Sequence, residues 1–174
     1  MTRDQYRNLT EQTRHFLSRL PLGESLLHVP TLIIACVYVV YALFLMINRS
    51  AKLWPFLAVP ALCFVLVTLL RTLINRPRPY DVFHLPPVGR HMPGKGKSMP
   101  SRHAASAVAI LMAVLFLHPP FPFTLFLVLL AVLICFLRVA TGQHYPSDVL
   151  AGAGFSIFLS LLLFPLFESL IPAV

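Results

Sequence analysis

Charged side chains are scarce in this sequence. Only 11% of the 174 residues are Asp, Glu, Lys or Arg, whereas 57% are hydrophobic, and the mean hydropathy is +0.79. A soluble domain of average composition carries about 25% charged residues. This shortage excludes an ordinary water-soluble domain, and apolar runs of membrane-spanning length indicate a polytopic membrane protein instead.

Cysteine is rare as well. Cys36, Cys63 and Cys135 each lie within an apolar run. An odd number of unclustered cysteines argues against a disulfide framework and against a cysteine-based metal site. We therefore expect all three to be small residues of the core.

The N-terminus lacks the short apolar core and small-residue cleavage site of a signal peptide. Residues 1–22 instead predict an amphipathic helix at the membrane interface. The side chains expected on its apolar side are Tyr6, Leu9, Phe16, Leu17 and Leu20. The alternative is a frayed polar tail.

Five apolar runs follow, over residues 26–47, 53–74, 104–117, 123–139 and 149–166. The third is short and reaches bilayer length only if residues 101–103 lie within the membrane boundary. We predict an all-α fold, a polytopic membrane bundle of about five transmembrane helices plus the N-terminal interfacial helix. Residues 1–174 are expected to form one domain.

Alternating spans gather the polar residues on one face. The second run ends near Arg71 and Arg78, the third begins after Ser101 and Arg102, and the fourth ends at Arg138. Guanidinium groups suit phosphate oxygens, and an arginine near the hydrocarbon is costly without an anionic partner. Ser101 as a helix N-cap would add free backbone N–H groups for an anion.

The alternative is that such arginines only reach out to bulk lipid phosphates, as suits Arg90 and Lys95. Charge alone does not choose between these interpretations.

Proton-handling groups are predicted on the same face. His144 and Asp148 lie four residues apart, so the carboxylate can fix the imidazole tautomer and leave the other nitrogen free. His103 can supply the proton that a leaving alkoxide needs. This pattern favours phosphoryl transfer without a metal. The same three residues are also adequate metal ligands, but four nearby arginines would repel a dication.

Three segments together resemble the signature of the type 2 phosphatidic acid phosphatase superfamily. The first motif, Lys, six residues and Arg-Pro, is matched by residues 71–79 with Arg71 in place of Lys. Pro-Ser-Gly-His is matched by residues 100–103 with Arg102 in place of Gly. The third motif is matched by residues 137–148, with Leu137 in place of Ser.

The resemblance implies a two-step mechanism. His144 attacks phosphorus and forms a phosphohistidine, Asp148 orients it, and His103 protonates the leaving group and then activates water. The phosphate oxygens would be held by Arg71, Arg78, Ser101 and Arg138, with a direct contact from the Arg102 side chain. These catalytic motifs span residues 71–148.

The sequence thus predicts a metal-independent phosphatase acting on a lipid phosphate or pyrophosphate, with no cofactor and no nucleic-acid partner. Undecaprenyl pyrophosphate, phosphatidylglycerol phosphate, phosphatidic acid and lipid A phosphate are plausible substrates. Transfer to an acceptor other than water and a non-catalytic lipid-binding role are the alternatives. The resemblance implies a multi-pass protein of the cell membrane with its catalytic face outside. The positive-inside rule favours the opposite orientation, because most basic residues lie on the catalytic face, but those residues have a catalytic role to explain them. Arg49 and Lys52 then mark the opposite loop as cytoplasmic.

Overall fold

The computed structural model describes residues 1–20, 23, 25–89 and 95–170, and this part of the chain is helical without a strand. A 3-10 turn, Ser25–His28, precedes the second α-helix. The α-helices are α1 Arg3–Ser18, α2 Val29–Ile47, α3 Leu53–Ile74, α4 Pro79–Phe83, α5 Arg102–Leu115, α6 Phe121–Ala140 and α7 Pro146–Leu170. The predicted all-α class is confirmed.

Within the described ranges, four helical stretches are long and apolar enough to cross a membrane: Ser25–Ile47, Leu53–Phe83, Phe121–Ala140 and Pro146–Leu170. The protein is therefore a multi-pass membrane protein. The remaining helix of the bundle, α5, has 14 residues. At 1.5 Å per residue it covers about 21 Å, less than a hydrocarbon core of about 30 Å.

The short helix α5 occupies the centre of the bundle and contacts α2, α3, α6 and α7. Its buried face is rich in alanine, at positions 104, 105, 107, 109 and 113. Small side chains let neighbouring helix backbones approach closely. The central position of α5 therefore places its N-terminal residues, Arg102 and His103, beside the ends of α3 and α7.

The start of α7 packs closely against the start of α5. A Cβ on Gly152 would lie 2.6 Å from the Ser101 carbonyl oxygen, and the Ser101 N–H donates to the Asp148 carbonyl at 2.8 Å. The absence of a side chain at Gly152 permits this close packing, whereas Gly154 faces open space.

The N-terminal helix is present and begins with a capping box between Thr2 and Gln5, and its buried side matches the predicted apolar side only in part. Tyr6 and Leu17 are buried, but Phe16 is 62% exposed and Leu20 is also exposed. The buried face is completed instead by Thr10. The predicted end of this segment, residues 21 and 22, lies outside the described residues.

The expectation for the cysteines was wrong in part. Cys63 is buried and its Sγ lies 3.0 Å from the Ser156 Oγ, but Cys36 is exposed and Cys135 is half-buried. Cys36 lies on α2, on the side of that helix that faces away from the bundle. An apolar run therefore did not distinguish the core side of a spanning helix from its lipid side.

Candidate active site

Four separate segments of the chain meet at one end of the bundle. They are the end of α3 with residues 75–78, residues 95–101 before α5, the loop 141–145 between α6 and α7, and the first turn of α7. Residue Asn75 ends α3 in the left-handed conformation, with φ of 43°, which turns the chain toward the site. We call residues 141–145 the catalytic loop.

Asp148 is fully buried and anchors the centre of this cluster. Its Oδ2 lies 3.6 Å from the Nδ1 of His144 and accepts hydrogen bonds from the Tyr145 N–H, at 3.0 Å, and from the Ser98 hydroxyl. Its Oδ1 accepts from the Nη1 of Arg76 at 2.8 Å. The carboxylate is thus compensated by one cation and two neutral donors besides the imidazole.

The His144 imidazole is only 2% exposed, and Nδ1 is its bonded side. Besides Asp148, the Ser98 Oγ lies 3.5 Å from Nδ1. In the described part of the chain, Nε2 makes no hydrogen bond. A ring held through one nitrogen presents the other with a defined direction, which suits a nucleophile.

Burial lowers the pKa of His144 below its ordinary value, and the hydrogen bond to Asp148 opposes this shift. The positive charges of Arg78 and Arg71 lower the pKa further. Because desolvation and like charge both disfavour the imidazolium, the ring is neutral at neutral pH. A neutral imidazole carries the lone pair that nucleophilic attack requires.

Three arginines are buried around this histidine: Arg71, Arg78 and Arg138. Arg71 donates to the carbonyl of residue 97. Arg78 donates to the carbonyls of residue 96, at 3.1 Å, and of Gln143, at 3.3 Å. Arg138 donates to the Gln143 Oε1 at 3.0 Å. None of the three pairs with a carboxylate among the described residues, so their charge remains available to an anion.

Two buried polar atoms of the site lack a hydrogen-bond partner in the described ranges: the Nε of Arg138 and the Oγ of Ser101. Ser101 occupies the N-cap position of α5 as predicted, but its side chain makes no capping bond. A buried donor without a partner costs about 1–3 kcal/mol. Both atoms therefore point to a polar ligand in this cluster.

Arg102 and His103, at the start of α5, are both exposed. They line a cavity of ≈ 380 Å³ between α2, α3 and α5, together with Thr31, Ile34, Phe64 and Ile110. The Arg102 guanidinium lies 6.0 Å from the Phe64 ring centroid. His103 lies in the electrostatic field of Arg138, His144 and Arg71. It therefore stands between the arginine cluster and this largely apolar passage between α2, α3 and α5.

The comparisons with known proteins fit this geometry. The family model described as the PAP2 superfamily matches residues 52–171, more than half of the chain. The chain belongs to the PAP2 superfamily. This confirms the resemblance seen in the three sequence motifs.

Two curated relatives of this PAP2 superfamily member are lipid A 1-phosphatases, from Rhizobium johnstonii and Rhizobium etli. Each is 34% identical to it over 103 residues, which is 56% of this chain and 41% or 43% of theirs. The chain thus spans less than half the length of the curated relatives it matches.

Two solved structures resemble the chain over most of its length. The crystal structure of Aquifex aeolicus LpxE is 26% identical, with a TM-score of 0.67 over 91% of this chain and 92% of that one. The first transmembrane PAP2 type phosphatidylglycerolphosphate phosphatase from Bacillus subtilis is 20% identical, with a TM-score of 0.72 over 98% and 88%. The second likeness shows the fold alone.

Sequence reasoning missed three contributors to the site: Arg76, Ser98 and Gln143. Arg76 also donates to the Ser147 Oγ at 2.8 Å and stacks 4.3 Å from the Tyr145 ring centroid. Its place in an arginine- and proline-rich segment was a signal, but charge alone could not separate its role from that of Arg78. Ser98 and Gln143 carry no sequence signal of this kind.

Asp81 is a further carboxylate that a metal site could have used. Its Oδ2 instead accepts from the backbone N–H of Arg78, at 3.1 Å, and of Gly96, at 2.9 Å, so it joins α4 to the segment before α5. Across the described ranges, no three His, Cys, Asp or Glu side chains form a set of metal ligands. Arg90, which was interpreted as a bulk-lipid contact, lies outside the described residues, as does His91.

Proposed function

We propose that this protein hydrolyses a lipid phosphate or pyrophosphate through a phosphohistidine at His144, without a metal. The observation that carries the proposal is a buried, oriented imidazole facing three buried arginines that have no carboxylate partner among the described residues. Such a cluster suits phosphoryl transfer, in which catalysis is mostly positioning and stabilisation of charge. The catalytic motifs, residues 71–148, and the single domain of residues 1–174 are part of the same proposal.

In the first step, the Nε2 lone pair of His144 attacks phosphorus. A P–N bond forms while the bond between phosphorus and the leaving oxygen breaks. His103 donates a proton to that oxygen, so the lipid leaves as an alcohol, or as a monophosphate if the substrate is a pyrophosphate. The arginine cluster and the Ser101 hydroxyl hold the other phosphate oxygens.

In the second step, His103 accepts a proton from a water molecule as the water oxygen attacks phosphorus. The P–N bond breaks, its electron pair returns to Nε2, and inorganic phosphate is released. Asp148 holds the imidazole orientation through both steps. The positive charge of the cluster disfavours a dication, which supports a reaction that needs no metal.

The passage between α2, α3 and α5 supports a lipid as the substrate, since His103 and Arg102 stand at its polar end. The names of the relatives favour a lipid A phosphate, whereas undecaprenyl pyrophosphate, phosphatidylglycerol phosphate and phosphatidic acid remain the comparison substrates. We place the catalytic face outside the cell membrane. The loop with Arg49 and Lys52 lies at the opposite end of the spanning helices and would face the cytoplasm. The basic residues of the catalytic face bind phosphate in this proposal, so they do not argue for a cytoplasmic position.

The test is phosphate release from detergent-solubilised lipid A phosphate and the three comparison lipids, with and without a chelator. We expect release from at least one lipid, no loss in chelator, and inhibition by vanadate, which imitates the phosphoryl group. Activity abolished by chelator would contradict the metal-free reaction. Recovery of the phosphate group on an added alcohol, instead of as inorganic phosphate, would favour transfer to an acceptor other than water. If no lipid is turned over, the non-catalytic role is favoured.

The Arg76–Asp148 ion pair predicts a change in pH dependence. Because burial lowers the pKa of His144, the acid limb of the wild-type kcat/KM profile should lie below about pH 6.5. Arg76→Gln removes the positive charge paired with Asp148, so the carboxylate stabilises the imidazolium more strongly and the acid limb moves to higher pH. We also expect kcat to fall by roughly tenfold as Asp148 loses a partner.

Arg76→Lys is the matched control, because it retains the charge and should leave the acid limb in place. Both variants are measured on one substrate, so the ionisation of the substrate phosphate cancels. An acid limb that stays in place in Arg76→Gln would refute the electrostatic link.

A further inference from the structure

The N-terminal helix meets the catalytic loop through Tyr6 and Thr10. Tyr6 is fully buried, its ring centroid lies 5.3 Å from that of Phe83 on α4, and its hydroxyl donates to the Leu85 carbonyl at 3.2 Å. Burial raises the pKa of Tyr6 to about 12, so the phenol remains a donor. Most of α1 is exposed, but the Tyr6 side chain is held against α4 and the residues that follow it.

The catalytic loop approaches this tyrosine at Gly142. A Cβ on Gly142 would lie 2.6 Å from both the Cε2 and the hydroxyl oxygen of Tyr6, and 2.7 Å from the Cγ2 of Thr10. The φ of Gly142 is +73°, a conformation that residues with a side chain adopt at a cost. The loop backbone therefore rests directly on α1, at a point where only glycine fits without displacement.

The two residues after Gly142 contact the arginine cluster and supply the proposed nucleophile. The Gln143 carbonyl and side chain accept hydrogen bonds from Arg78 and Arg138. The His144 N–H donates to the Arg138 carbonyl at 3.1 Å. A shift of the loop at Gly142 therefore moves the partner of two phosphate-binding arginines and the nucleophile together.

We propose that Tyr6 is a positioning residue, through which the N-terminal helix holds the catalytic loop in its reactive geometry. Tyr6 touches neither substrate nor reacting atoms and acts through Gly142 on His144. The inference rests on the proposed function, because its kinetic effect requires a reaction at His144. The geometric part, a loop held by α1, stands independently of which reaction occurs.

The kinetic test compares Tyr6→Ala with Tyr6→Phe and Phe16→Ala. Tyr6→Ala removes the ring under the loop, so kcat should fall by about tenfold, since small misplacements of reacting groups are costly. KM should stay within about twofold, because the phosphate-binding side chains are retained. Tyr6→Phe keeps the ring and should retain a kcat close to that of the wild-type protein. Phe16→Ala removes an exposed ring from the same helix and should leave kcat unchanged.

A second readout is hydrogen exchange of the loop amides, measured by mass spectrometry on the full chain. Tyr6→Ala should accelerate exchange at residues 142–144, and Phe16→Ala should not. If Tyr6→Ala does not fold, Gly142→Ala takes its place, with the same expected loss of kcat and faster exchange.

Normal kcat with unchanged loop exchange in Tyr6→Ala, or in Gly142→Ala if that variant takes its place, would overturn the inference. An equal loss in Phe16→Ala would also overturn it, since the effect would then come from membrane contact of α1. A wild-type protein that releases no phosphate, with exchange still faster in Tyr6→Ala, would contradict the proposed function and leave the loop contact supported.

Discussion

His144→Ala is expected to lose phosphatase activity by about 10³-fold or more, to the level of protein-free controls. The variant retains the arginine cluster, so it can still bind a lipid phosphate, but no group remains to form the P–N bond. Its affinity for inorganic phosphate, measured by direct binding, should therefore stay near the wild-type value. The measurement is phosphate release from the best lipid of the substrate panel, at enzyme concentrations high enough to detect residual turnover.

His15→Ala is the matched control, because His15 is an exposed histidine in the last turn of α1, where its ring lies 3.5 Å from the Arg19 guanidinium. It should retain full activity. A His144→Ala protein with a tenth or more of wild-type turnover would exclude His144 as the nucleophile. Loss of phosphate binding in the same variant would instead indicate that the imidazole is needed to assemble the cluster.

His103→Ala separates the two steps of the mechanism. With a lipid phosphate, the alkoxide leaving group needs the proton from His103, so turnover should fall by roughly 10²- to 10⁴-fold. The leaving group of p-nitrophenyl phosphate departs without protonation, so the rate of the first step in His103→Ala should approach that of the wild-type protein. The second step still lacks its base, and the phosphoenzyme should accumulate.

The expected observation is a burst of about one equivalent of nitrophenol per enzyme, followed by a slow steady rate. Wild-type protein provides the comparison and should show no such separation of phases. Equal loss on both substrates without a burst would contradict the role of His103 as acid and base. A full steady rate on the aryl phosphate would show that another group activates the water.

The spanning helices were predictable to the extent that their ends carry polar residues or breakers. Both bounds of α3 agree with the sequence prediction, because Lys52 precedes the apolar run and Asn75 ends it. For α5 the apolar run begins at Ala104, but the helix begins at Arg102, as the prediction of Ser101 as its N-cap requires. The short helix α4 was not predicted at all, since five residues carry no periodic signal.

The site was predictable where its partners are close in sequence. The contact between His144 and Asp148 follows from a spacing of four residues at a helix start. The bonds of Asp148 to Ser98 and Arg76 join residues 50 and 72 positions apart, and no local pattern encodes such pairs. Likewise, amphipathicity predicted α1, but the burial of Tyr6 depends on a loop more than 130 residues away.

The location of the covalent phosphate tests the central claim most directly. His103→Ala protein, mixed with p-nitrophenyl phosphate and digested without acid, would be searched by mass spectrometry for a phosphorylated peptide. We predict one phosphate, on His144, stable in base and lost in acid, and none when Asp148→Asn is added. Phosphate on another residue, or a nitrophenol burst with no phosphorylated His144, would contradict this account.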